Sequence, residues 1–456
     1  MPKALRHILA CASAALLPAM AAGQEAAAPQ VSIANARLAV MQLATGIGAD
    51  VSDLVEAGPE RAIYLQSGAA TLADLDRATE EAGAPEAVTT RGAGYRLSLP
   101  VVVVQGAELS ISEGEELTLD RRAGAFLLSL GETRITGARI AAQGGAHPKI
   151  DGFRPFIAGV GRQSLAVRDS EIAHLGYGDA PHAAGLHIGG RGMLGRGEAG
   201  ALSGNRFLGL RGVTLSGVDG FKITENRFQA STGTALHVRT GAEGVIAGNE
   251  ILGTHGAQAL HLSDVSRSEV RDNTLRRGGG KGLRVDNGAH GVALSGNTLA
   301  DFEGTAVTLA ERADCLRLSD NRITRNDGAG LALRGGGTLI AEGNRILDND
   351  GPGIALHRQA PGASALLIRN RVAGNRVGIR GSEMTHVRLA MNDLSDQLPR
   401  LLGGDLDQLT PTVLKAGAGP ARADVIVEGL AAREALALRR DAADRAFEAC
   451  RSGGAI

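Results

Sequence analysis

From about residue 180 to residue 360 the chain repeats one short alternation, small-apolar-x-apolar. Its copies are Gly185-Leu186-His187-Ile188, Gly212-Val213-Thr214-Leu215, Ala235-Leu236-His237-Val238 and Ala259-Leu260-His261-Leu262. They continue as Gly282-Leu283-Arg284-Val285, Ala306-Val307-Thr308-Leu309, Gly330-Leu331-Ala332-Leu333 and Gly353-Ile354-Ala355-Leu356. A period of two belongs to a strand with one face buried. A column of asparagines keeps the longer beat: Asn205, Asn226, Asn249, Asn273, Asn297, Asn321, Asn344, Asn370 and Asn392, spaced by 21, 23, 24, 24, 24, 23, 26 and 22. A unit of this length, with short strands and Gly or Asn corners, is one coil of a parallel β-solenoid. It is too short for a propeller blade and lacks the Leu spacing of leucine-rich repeats. The fold class predicted is all-β, a single right-handed parallel β-helix with short helical terminal caps.

The Asn column has a physical rationale. Amides stacked in register can hydrogen-bond along the axis, and Asn tolerates the left-handed backbone that a corner demands. Asn226, Asn249, Asn273, Asn297, Asn321 and Asn344 are expected to form one inward ladder. The Asn-marked coils would make a rod of roughly 43 Å.

The ends divide the rest. Residues 1–23 read as a signal peptide, with Lys3, Arg6 and His7 ahead of an apolar run and a small-residue cleavage site. Localisation is then periplasmic or secreted. Residues 24–94 form an N-terminal cap region, with a helix over about 72–82 announced by Thr71 and Asp74. The β-helix spans 95–400. Residues 401–456 form a C-terminal segment, helix-like from Arg433 to Cys450. Cys315 and Cys450 are expected as separate buried thiols, a disulfide being the alternative.

Composition narrows the function. With 48 Lys+Arg against 49 Asp+Glu the net charge is −1, which argues against nucleic acid as partner. The 8 Phe, 3 Tyr and absent Trp make the core aliphatic and disfavour base-stacking modules. No stretch after the leader reaches 18 uninterrupted apolar residues, so no membrane insertion is expected.

A solenoid allows one outward slot to be followed from coil to coil. The x position reads His187, Thr214, His237, His261, Arg284, Thr308, Ala332, Ala355 and Arg380; two residues on stand Gly189, Ser216, Arg239, Ser263, Asp286, Ala310, Arg334, His357 and Ser382. The histidines beside Arg239, Arg284 and Asp286 form a candidate site, against the plainer reading of a solvated polar face. No metal is expected, because no third ligand joins His237 and His261 in a tetrahedral set; no cofactor is implied. Such a patch suits proton removal beside a carboxylate, as at C5 of a uronic acid. That reaction needs a cation on the carboxylate, a base on one face and, for epimerisation, an acid on the other. The candidate catalytic residues are His237, His261, Arg239 and Arg284. The candidate substrate-binding residues are His187, Asp286, Lys281 and Arg334.

Arg154-Pro155-Phe156-Ile157, followed by Ser170 through Leu175-Gly176-Tyr177, resembles the periplasmic mannuronan C5-epimerases of alginate-producing bacteria, and the likeness extends over roughly residues 100–400. The resemblance implies a right-handed β-helix acting on an acidic polysaccharide, with an export complex as a further partner. That family carries an Asp-Pro-His-Asp motif whose His is catalytic. Here His237 falls on the first Asp and Arg239 on the His, so the motif is absent. Either the acid–base pair is rebuilt from His237 and His261, or the activity differs. The open alternatives are a C5-epimerase, a lyase, a non-catalytic polysaccharide-binding or export-scaffold protein, and an accessory protein of periplasmic metal-enzyme maturation.

Overall fold

A computed structural model describes residues 28–453 except 48–49, 93, 162–163, 193–194, 199–200, 398, 419–423 and 440. The leader expected over residues 1–23 lies outside the described residues. Three parallel sheets, here A, B and C, run along the solenoid. In sheet A, Leu236, Leu260, Leu283 and Val307 lie in register, as do His237, His261, Arg284 and Thr308. The first set points inward and is at most 1% exposed. Sheet B aligns Ile246, Val270 and Leu294, and sheet C aligns Phe228, Ile251 and Leu275. The period-two pattern therefore fills a thin aliphatic core from all three sides.

The expected ladder is present and longer than its six named members. From Asn205 to Asn370, each Nδ2 donates to Oδ1 of the Asn one coil on at 2.9–3.0 Å, ending on Asn392. The left-handed backbone lies one residue earlier than expected, at Gly204, Glu225, Gly248, Asp272, Gly296, Asp320 and Gly343. Asn is thus chosen for its amide, and its predecessor makes the corner. A second ladder, Asn326, Asn349 and Asn375 closing on Gln397, stands five residues after the first.

At the N-terminal end, strand Gln30–Asn35 pairs antiparallel with Arg61–Ala70, and helices α1 (Arg37–Ile47) and α2 (Ser52–Ala57) lie between them. Arg61–Ala70 pairs in parallel with Val101–Val103 and Ala107–Ile111, so the first coil begins well ahead of residue 95. Helix α3 (Leu72–Glu81) starts on the expected capping box of Thr71 and Asp74, and its Leu72 and Leu75 join the main core.

At the other end Arg400–Gly404 is the last parallel strand of sheet A. Helix α4 (Thr410–Ala418) and the antiparallel strands Asp424–Glu428 and Ala431–Ala435 close the rod. The predicted helix over 433–450 is shortened to α5 (Ala442–Arg451), because Arg433 to Ala435 extend a sheet edge instead. Helix α5 lies back along sheet B, where Cys450 is joined to Cys315 with Cα atoms 5.7 Å apart, replacing the two separate thiols expected.

Candidate functional site

The outward column of sheet A changes character along the rod. Tyr64, Val102, Leu128 and Ala158 occupy its first coils in register with His187. Ala39, Val40 and Leu43 of α1 and Leu54 of α2 cover these apolar residues, together with Phe126, Phe153 and Phe156. Tyr177 donates to Asp53 Oδ2 at 2.7 Å and ties α2 down. Two parts of the segment that carried the family resemblance, Phe156 and Tyr177, are thus built into this cover, at ring distances of 4.7 Å from Phe126 and 5.0 Å from Phe153 respectively.

Beyond the cover lie the polar residues. His237 and His261 are cross-strand neighbours, and their rings stack at 4.3 Å with 9° between planes. His261 Nε2 lies 2.9 Å from Asp286 Oδ1, and Arg284 Nε donates to Asp286 Oδ2. The Arg284 fork also reaches Glu311 at 2.7 Å. The structure thus brings together His237, His261, Arg284 and Asp286, with Arg239 exposed in register beside Ser263.

The environment sets the charges. Burial pushes the His237 imidazole down to about 3, aided by the neighbouring His261 and Arg239, so it stays neutral. Its Nε2 is buried without a partner. For Asp286, burial alone would raise the carboxyl. The hydrogen bonds from His261 and Arg284 outweigh it and hold the group below its ordinary value. The Lys281 amine is lowered by burial, then by Arg284 and Arg334.

Two expectations for direct substrate contact fail on burial. His187 is 0% exposed and neither ring nitrogen has a partner, because it sits where the apolar cover ends. Asp286 is 1% exposed and fully engaged by His261 and Arg284. Arg284, expected to neutralise a sugar carboxylate, already faces two carboxylates. Among the described residues Arg239 and Arg334 have no carboxylate partner. Sequence reasoning missed Glu311; its only signal was its place one residue after the outward Ala310. No cluster of three or more His, Cys, Asp or Glu suited to a metal ion occurs among the described residues.

A family model described as "Right handed beta helix region" matches residues 157–316. The chain is a right-handed parallel β-helix. A second model, "Periplasmic copper-binding protein (NosD)", matches residues 254–398. Among solved structures the β-helix is similar to the periplasmic alginate epimerase AlgG, at 18% identity and TM-score 0.66, over 86% of this chain and 98% of that one. A double mutant of AlgG is similar at 18% identity and TM-score 0.67 over the same shares. At this identity the likeness speaks for the fold. No curated protein matches the chain in sequence. No helix among the described residues is long and apolar enough to cross a membrane.

Proposed function

We propose that this β-helix is an exported enzyme that removes the C5 proton of a uronate residue in an acidic polysaccharide lying along sheet A. The observation that carries this reading is the Asp286–His261 pair on an outward sheet face. An ionised carboxylate only accepts, so His261 carries its proton on Nε2 and leaves Nδ1 with a free lone pair. A carboxylate fixing the tautomer and ring of a histidine is a recurrent way to make a base. His237, kept neutral by burial, serves as the stacking partner that orients His261. Arg239, free of carboxylates, is the cation for the sugar carboxylate, where it stabilises the enolate-like charge.

The C5–H electron pair moves into the carboxylate as the proton passes to His261. The enolate then takes a proton at C5 from a water on the other face, giving the epimer, or expels the C4 oxygen, which takes up the proton held by His261, giving an unsaturated sugar. The similarity to AlgG supports a polysaccharide as substrate, and the leader-like N-terminus supports the periplasm or beyond.

The test is incubation with polyuronates in deuterated water. Deuterium at C5, or ultraviolet absorbance of an unsaturated uronate, reports proton removal. His261→Ala should lose turnover by several orders of magnitude. Asp286→Asn should lose about 10–100-fold and distort the pH profile, as expected of a positioning residue. A folded His261→Ala protein with undiminished turnover would overturn the assignment. Binding without turnover in the wild type would favour the polysaccharide-binding scaffold.

A further inference from the structure

After Arg284 the outward column of sheet A shrinks to Thr308, Ala332 and Ala355 before returning to a long side chain at Arg380. Beside this stretch, with Ala355 in its lining, is a depression of about 470 Å³ walled by Arg334, His357, Arg380 and Ser382. Its polar rim is oriented. Arg358 Nε donates to His357 Nε2 at 3.2 Å, so that nitrogen carries no proton. The ring proton is then on Nδ1, which donates to Ser382 Oγ at 2.6 Å. The same tautomer excludes His357 as a base for Ser382, so the pair is no nucleophile. It leaves the Ser382 hydroxyl proton free to be donated into the depression. Arg334 and Arg380 have no carboxylate partner among the described residues, in contrast to Arg284. Two uncommitted guanidinium groups and a hydroxyl donor around a floor without side-chain charge form a receptor for an anion.

We propose that this depression is a second carboxylate-holding subsite of the sheet A groove, taking a uronate unit three or four coils beyond the one at His261. The proposal rests on reading sheet A as a uronate groove. The coil repeat of about 4.8 Å is close to the advance of one sugar along an extended chain, so each coil underlies one unit. An oligomer reaching from His261 to Arg380 is then about six units long. Shorter chains engage one site, and longer chains engage both and gain by effective concentration.

The experiment uses the purified full chain and uronate oligomers of two to ten units, with affinity read by calorimetry, and C5 deuterium and unsaturated-uronate absorbance measured on the same samples. Affinity should step up by about tenfold to a hundredfold as length reaches five to six units. Arg380→Ala should abolish the step while trimers bind as before, and Ser382→Ala should reduce it severalfold. A step that Arg380→Ala removes, with neither C5 deuterium nor unsaturated-uronate absorbance in any sample, upholds the subsite and overturns the proton-removal reading. Deuterium without a length step, or a step that neither variant moves, overturns the subsite alone. The same step with neutral glucan oligomers overturns the carboxylate assignment. No binding at any length overturns both.

Discussion

Each asparagine between the two ends of the main ladder uses its side-chain oxygen as acceptor for the Asn one coil back, and its Nδ2 as donor to the Asn ahead and to a backbone carbonyl, as at Asn297. Buried backbone groups at every corner are thereby satisfied. Repetition made this legible: nine asparagines in one context mark one structural slot. The corner residue was less legible, because Gly, Asp and Glu alternate there and share only a positive φ. Burial of a single outward histidine was not legible at all. His187 has the same local pattern as His237, and what distinguishes them is the packing around its strand, which includes the turn His182–Ala184. That difference is testable. The His187 imidazole is held at about 3 by burial, then by His182 and Arg239. Its unfolded value is about 6.5. Between these values the unfolded chain binds more protons, so stability is lost as pH falls through this window and is fully present above it. At about pH 4.5 the cost is on the order of 2–3 kcal/mol. His187→Leu also removes two unpartnered nitrogens, so its thermal midpoint should fall less between pH 7.5 and 4.5 than that of the wild type. An equal fall in both proteins would refute this account.

The caps show how elements override local propensity. Ala431 to Ala435 is rich in helix formers, yet these residues pair with Asp424–Glu428, because an open sheet edge offers hydrogen bonds that an isolated turn of helix lacks. Helix α5 was legible as a helix, and its resting place was not. Outward slots of sheet B carry Ile340 and Leu366 in register, apolar residues where solvent would otherwise stand. Phe447, Ala443 and Cys450 of α5 cover them. Those two slots were the overlooked signal. The Cys315–Cys450 link closes a separation of 135 residues. In the chain-entropy account a loop that long stabilises the folded state by up to about 5 kcal/mol, against about 2–4 kcal/mol for disulfides in general. Reduction, or Cys450→Ala, should lower the denaturation midpoint accordingly and increase protease cleavage around α5. An unchanged midpoint and cleavage pattern would mean that apolar contacts alone hold the helix.

Over the whole molecule, the N-terminal cover fixes where the open part of sheet A begins, and Arg239, Lys281, Arg334 and Arg380 fix its charge. The periodicity alone identified the fold and the outward column. Whether each charge is free depends on cross-strand partners such as Glu311, which no local pattern reveals. With a net charge of −1, the molecule as a whole offers a polyanion almost no attraction. Binding must come from these few uncommitted cations, acting over a Debye length of about 10 Å at 0.1 M salt and about 3 Å at 1 M. Affinity for a polyuronate should therefore fall steeply between those salt concentrations, mainly through slower association. Arg239→Ala and Arg380→Ala should each flatten that dependence, because each removes one of the charges being screened. Arg284→Ala acts by another route: it releases the carboxylates of Asp286 and Glu311, which repel the polymer until salt screens them, so the affinity lost at low salt should shrink as salt rises. Affinity that is insensitive to salt in the wild type, or a slope that Arg239→Ala and Arg380→Ala both leave unchanged, would show that the groove holds its polymer by something other than these free charges.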